Sequence, residues 1–234
     1  MAMVINTNMA SLNAQRHLSG SQSKLAKSME RLATGKRINT GQDDAAGLGI
    51  SSRLGGKIRA LNQSVRNAND GISMAKAGDG ALAEVANMLE RMRELVQQKG
   101  DGALSTTDQS AITLELQSLN KEIKSIRSGT AFNGVKLLTK LSAKFTVGET
   151  DVYNLQVSAI HSTGANAAGS YTASSVEYAI DNISKARGNF GKAITVLESR
   201  AANSAALAEN LSAAKSQILD ADIAAETAEM TKAN

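Results

Sequence analysis

The chain has no cysteine, no proline and no tryptophan among its 234 residues, and only three Phe and three Tyr. Without cysteine there is no disulfide framework, no thiolate metal site and no cysteine nucleophile. Average usage would place about 12 prolines in a chain of this length. Proline stops helices and starts turns, so a chain without it can be helical over most of its length. Aromatics carry much of the burial in a globular core. With few of them, the apolar mass comes from Ala, Leu, Ile and Val, which suits narrow helix–helix seams. No apolar run approaches the ~18 residues that span a bilayer, which argues against membrane insertion. The opening Met1–Asn8 is uncharged and leads into no long apolar region, so no cleaved secretory signal is read. The formal charge of +4 comes from 26 basic and 22 acidic residues, well interleaved.

What is present is heptad periodicity. Leu18, Leu25 and Leu32, with Met29, predict an amphipathic helix from Asn8 to about Thr34. Gly35 and Gly41 bracket a polar loop, and Asp43 and Asp44 stand where N-cap and first-turn acids belong. From Leu54 the positions Leu61, Ala68, Ala75, Leu82, Leu89 and Val96 follow at intervals of seven, which is a coiled-coil signal. A helix from Asp44 to Lys99 would be about 80 Å long, so an elongated rod is expected. The alternate stripe slips at Gly78-Asp79-Gly80, read as a local weak point. Ser105 with Asp108 forms a capping-box variant ahead of a shorter helix carrying Ile112, Leu116, Leu119, Ile123 and Ile126, which stops at Ser128-Gly129. The period then changes to two in Phe145–Val147 and Tyr153–Val157, a β-hairpin with Gly148–Asp151 as its turn. His161–Ser175 reads as a loop. Heptads resume at Val176 and run through Ile183, Phe190, Leu197, Ser204, Leu211, Ile218 and Ala225, a second helix as long as the first, with Ala193, Ala201, Ala208 and Ala221 along its seam. The fold class is mainly α: an elongated antiparallel bundle of two long helices and one shorter, with a small β-hairpin.

Chemistry is largely missing. His17 and His161 are far apart and in no ligand pattern, and zinc, phosphate-loop and nucleophile-elbow motifs are absent. Gly47-Leu48-Gly49 and Gly55-Gly56 resemble pieces of a nucleotide-binding turn but follow no strand, so they read as small residues where helices approach. Adjacent Asp43 and Asp44 point apart on a helix and suit capping rather than catalysis. Basic residues are dispersed and paired with acids, as in Glu90–Glu94, without interleaved aromatics, which argues against nucleic acid. Sequons at Asn62, Asn182 and Asn210 fall in predicted helices. No catalytic, cofactor or metal site is read. The apolar stripes exceed what one hairpin of helices can bury, which points to self-assembly.

Several stretches resemble bacterial flagellins. Met3–Asn8 opens as they open, and Ser28–Asn39 followed by Asp43–Ser51 is similar to their most recognisable stretch. Phe132-Asn133-Gly134 with Val135–Leu138, and Glu209–Ile218 with Asp220, Asp222 and Glu226, resemble their later motifs in the same order. The resemblance implies a filament subunit exported unfolded through the flagellar type III channel to the cell exterior. It implies partners in copies of itself, an export chaperone and a cap protein, and no enzymatic activity. Residues 1–43 would form an inner-core segment. Residues 44–234 would form a helical rod domain, with hairpin and loop at about 131–175, and the variable outer domains look absent. Arg31, Asp43, Asp44, Phe132, Asn133, Gly134, Asp220 and Asp222 are the implied assembly residues.

Leu89–Gln98 is similar to the flagellin segment read by the flagellin-sensing Toll-like receptor of hosts. Arg91 and Leu95 match its most important positions, Glu115 matches a supporting acid on the neighbouring helix, and Leu89 and Gln98 complete the candidate set. Glu90 departs from the usual Gln. Leu89, Met92 and Val96 face the seam, so Arg91 and Leu95 should lie beside it and be reachable. Arg91 is equally well read as a solvated i,i+3 pair with Glu94. Lys215 and Gln217 stand where relatives carry arginines. The chain stops at Thr231–Asn234, where family members continue with an apolar helix that pairs with the first one. A shortened form of a longer chain, its first helix unpartnered and its polymerisation poor, is expected. A hook–filament junction protein, or a soluble helical export substrate or adaptor, is the alternative reading.

Overall fold

The computed structural model describes residues 8–139, 141–148, 151–157 and 171–233. Among them lie helices α1 (Met9–Thr34), α2 (Gly41–Lys99), α3 (Thr106–Gly129), α4 (Ala173–Leu219) and α5 (Ile223–Ala233). Between α3 and α4 come two antiparallel strand pairs: β1 (Ala131–Phe132) with β2 (Val135–Lys136), and β3 (Leu141–Thr146) with β4 (Val152–Val157). The chain forms two compact units, residues 1–59 with 207–234 and residues 60–206.

In the second unit, three helices and the larger hairpin share one interior. Leu82, Val85, Leu89, Met92 and Leu95 of α2, Ile112, Leu116 and Ile123 of α3, and Val176, Ile183 and Phe190 of α4 belong to one apolar cluster. Gly71 meets Leu197 while Gly78 meets Phe190. Rising numbers on α2 therefore match falling numbers on α4, and the two helices are antiparallel. The heptads thus mark the buried seam, as their period implies.

Gly78 is not a weak point. A Cβ there would sit 2.5 Å from Phe190 Cζ, so the glycine is the groove that admits the ring, and α2 runs through it as helix. Beside it, Asp79 pairs with Arg187 at 2.8 Å.

Ser105 caps α3 with the reciprocal bonds of a capping box, donors and acceptors exchanged with Asp108. The β3–β4 register runs from Leu141 opposite Val157 to Thr146 opposite Val152. The strand begins four residues before the predicted Phe145, because Leu141 and Ala143 continue the same inward alternation. The hairpin is tied to α2: Ser64 Oγ donates to Gly148 O at 2.9 Å and Asn67 Nδ2 donates to Thr146 O at 3.0 Å. Of the turn, Glu149 and Thr150 lie outside the described residues, as does most of the stretch read as a loop, including His161. That loop ends earlier than read. Helix α4 begins at Ala173, held by Thr172, whose hydroxyl accepts from Ser175 N while Thr172 N donates to Ser175 Oγ.

In the first unit, α1 starts at Asn8, whose side chain accepts from Ser11 N, and ends at Gly35 in the left-handed conformation (φ 68°). Helix α4 does not continue to the C-terminus. It ends at Leu219, where Arg37 N donates to Leu219 O (2.7 Å) and Ala221 N donates to Gly35 O (3.0 Å). Two segments far apart in sequence meet as backbone, with Lys36 bridged to Asp220. The second long helix is consequently shorter than the first, 47 residues against 59. Helix α5 then packs against α1, so α1 is not unpartnered within this chain. Leu25 and Leu32 are half-buried, while Met9, Leu12, Leu18 and Met29 stay exposed.

Candidate functional site

The receptor-segment residues divide by exposure. Leu95 is 1% exposed and Leu89 3%. Leu95, expected beside the seam and reachable, is instead interior. Helix α3 supplies Ile112 and Leu116 to the same cluster, so the buried face of α2 is wider than a two-helix stripe. Arg91, Gln98 and Glu115 are exposed. Arg91 Nε and Nη2 donate to Glu115 Oε1 at 3.2 and 3.1 Å, and Nη1 donates to Glu94 Oε2 at 3.1 Å. Arg91 therefore makes the i,i+3 pair along α2 and also bridges to Glu115 on α3. Its hydrogen bonds to Glu94 and then to Glu115 raise the guanidinium's pKa, so it stays charged at any pH the protein meets. Glu90 pairs with Arg93 at 2.7 Å on the same helix.

The residues that the resemblance implies for assembly fall into two groups. Arg31, Asp43, Asp44, Asp220 and Asp222 lie in the first unit, and Phe132, Asn133 and Gly134 in the second. Arg31 Nη1 reaches Glu226 Oε1 on α5 at 3.5 Å, and its buried Nε has no partner among the described residues. Asp43 holds the loop before α2. Its Oδ2 accepts from Asn39 N, Thr40 N and Thr40 Oγ1, and its Oδ1 meets Lys27 Nζ at 2.7 Å. The Lys27 contact first, then the two backbone N–H groups, hold this carboxyl well below the usual carboxylate range. Asp44 is the true cap. Its backbone is extended (φ −166°, ψ 97°) and its Oδ1 accepts from Gly47 N at 2.8 Å, so the long helical run starts there. Asp222 caps α5 by accepting from Ala224 N and Ala225 N.

Phe132, Asn133 and Gly134 form the tight turn of β1–β2, a hairpin that the periodicity reading missed. Asn133 (φ 47°) and Gly134 (φ 80°) both have positive φ, the arrangement that Asn-Gly favours in two-residue hairpins. That dipeptide was the available signal. The turn borders a cavity of about 540 Å³, with Met74 and Phe145 among its walls. Among the described residues no cluster of three or more His, Asp or Glu could hold a metal ion, and no helix is long and apolar enough to cross a membrane.

This helical architecture, with its capped segments at both chain ends, is that of a known family. The family model for the bacterial flagellin N-terminal helical region matches residues 5–143, and that for the C-terminal helical region matches residues 173–234. The chain belongs to the bacterial flagellin family. It is 39% identical over 249 aligned residues to a flagellin of Halalkalibacterium halodurans, covering 99% of this chain and 91% of that one. It is 47% identical over 150 residues to polar flagellin F of Vibrio parahaemolyticus, covering 63% of this chain and 40% of that one. The chain thus spans about two fifths of several curated relatives that it matches. The crystal structure of Bacillus cereus flagellin superposes with a TM-score of 0.53 at 27% identity, covering 59% of this chain and 88% of that one.

Proposed function

We propose that this chain is a structural subunit of a bacterial flagellar filament, working outside the cell by packing against copies of itself to support motility. The observation that carries the reading is the match to both helical regions of the family. A physical observation agrees with it: Met9, Leu12, Leu18 and Met29 of α1 are exposed apolar side chains. Such exposure costs free energy in water, and burial against neighbouring copies recovers it. Residues 1–43 would serve the inner core of the filament and residues 44–234 the surrounding rod. Export through the flagellar channel, with a chaperone and a cap protein, belongs to the same reading.

A bacterium stripped of its own flagellins tests this. The chain is expressed there with and without an appended family-like C-terminal helix. Filaments seen by electron microscopy from at least one form, with swimming restored, are the expected result. A folded monomer from both, binding one partner saturably, is the outcome for an adaptor and sinks the filament reading.

We also propose recognition by a host Toll-like receptor, a reading supported by the exposure of Arg91, Glu115 and Gln98. In this reading the buried Leu89 and Leu95 shape α2 and present Arg91, rather than lying against the receptor. Receptor-reporter cells treated with Arg91→Ala protein should respond far less than to the parent, and an equal response removes Arg91 from the contact.

A further inference from the structure

Within the first unit a cavity of about 240 Å³ opens beside Gly55. Two buried apolar side chains line its floor: Ile38 is 2% exposed and Leu219 8%. The buried Ser51 hydroxyl is already used, donating to Leu48 O. Around this floor stand three cations, Lys36, Arg59 and Lys215, and no carboxylate lines the cavity. Lys215 Nζ and Arg59 Nη1 lie 3.6 and 3.7 Å from the point that a Cβ on Gly55 would occupy. Two cationic nitrogens therefore face one space, the side of α2 at which residue 55 carries no side chain.

Nearby acids do not neutralise the group. Asp43 is held by Lys27, Asn39 and Thr40, and Asp44 by the Gly47 amide. Asp220 meets Lys36 through the backbone bridge. None of the ion pairs found among the described residues includes Lys36, Arg59 or Lys215. Like charges converging over an apolar floor repel one another more strongly than in open water, and a single anion between them reverses the sign of that term. Pockets for drug-sized ligands run to about 300–1,000 Å³, so this one suits a single small group.

We propose that this cavity is an oxyanion site, taking one phosphate or one carboxylate group between Arg59 and Lys215, with Lys36 and the Ser52 hydroxyl at its rim. Charge-assisted hydrogen bonds from guanidinium and ammonium would hold it. The site stands whether or not the chain forms filaments. Only one source of the anion, a carboxylate side chain on a neighbouring copy, rests on the filament reading.

Titration of the protein with inorganic phosphate at constant ionic strength, followed by the amide resonances of Ser52 and Gly55 and by Arg59 Nε, tests the site. Saturable shifts confined to these groups are expected. Lys215→Gln removes one charged donor and should weaken binding about ten-fold or more. Gly55→Ala places a methyl between the two cations at ordinary contact distance. It should weaken binding as much while leaving helix content, read by circular dichroism, intact. Arg53→Gln, two residues before Gly55 on α2 and outside the lining, should change nothing. A linear, unsaturable response, or equal weakening by Arg53→Gln, means diffuse charge attraction and overturns the proposal. Acetate added to the phosphate complex separates the sources. Displacement at comparable concentration assigns the site to a carboxylate group, and retention of phosphate assigns it to the free ion.

Discussion

The Phe190 ring occupies the space that a side chain at Gly78 would need, with Cζ 2.5 Å and Cε1 2.9 Å from the Cβ position. Phe190 is fully buried. Gly78→Ala gains about 1 kcal/mol of helix propensity, but it forces the ring out of place at a typical overpacking cost of about 1–3 kcal/mol. A net loss of stability is expected in urea denaturation. The double variant Gly78→Ala with Phe190→Leu should recover part of it, because the smaller side chain makes room. Simple additivity of the two losses would mean that the groove does not couple them.

Leu95 and Arg91 are one turn apart on α2 and should behave oppositely. Leu95→Ala empties a fully buried site and should cost about 2–5 kcal/mol. Arg91→Ala removes an exposed pair, which contributes little to stability in general, and should leave the melting temperature unchanged. Thermal unfolding by circular dichroism separates the two. A large loss from Arg91→Ala would show that the bridge to Glu115 holds α3 in place.

Asp43 sets an acid limit on the loop before α2. Its folded pKa is depressed, chiefly by Lys27. Its contribution is therefore fully present above the unfolded carboxyl value of about 3.9 and fades as pH falls below that toward the folded value. The Asn39 and Thr40 amides, whose N–H groups donate to it, should lose protection relative to their intrinsic exchange rates below about pH 4. In Asp43→Asn the same amides should exchange faster at neutral pH and lose that acid dependence. Identical exchange profiles in the two proteins would remove Asp43 from this role.

Gly134 holds the β1–β2 turn at φ 80°. An L side chain there costs roughly 1–2 kcal/mol. Gly134→Ala should loosen the turn and speed exchange of the Leu137 amide, which donates to Thr130 O at 3.1 Å. Unchanged protection of Leu137 would mean that the buried Leu137 and Leu138 side chains hold the segment without the turn.

The long-range seam was legible because one physical signal, a seven-residue repeat of Leu, Ile, Ala and Phe, carries it over many turns. The capping box of Ser105 and Asp108 and the larger hairpin were legible for the same kind of local reason. Leu95 was misjudged because the repeat describes one seam, whereas α3 adds a second contact face that no spacing on α2 reveals. The end of α4 was invisible because the apolar repeat continues through Ile218 to Ala225. What stops the helix is backbone pairing with Gly35 and Arg37, almost the whole chain away. The cluster of Lys36, Arg59 and Lys215 could not be read either, since its members come from three separated segments.

The first unit is discontinuous in sequence, while residues 60–206 form the second unit without a break. The bonds from Arg37 to Leu219 and from Ala221 to Gly35 can form only after a very long loop has closed, and such closure slows folding. The first unit cannot lock until residues 35–37 and 219–221 are both present, so its assembly is expected to be slower than that of the second.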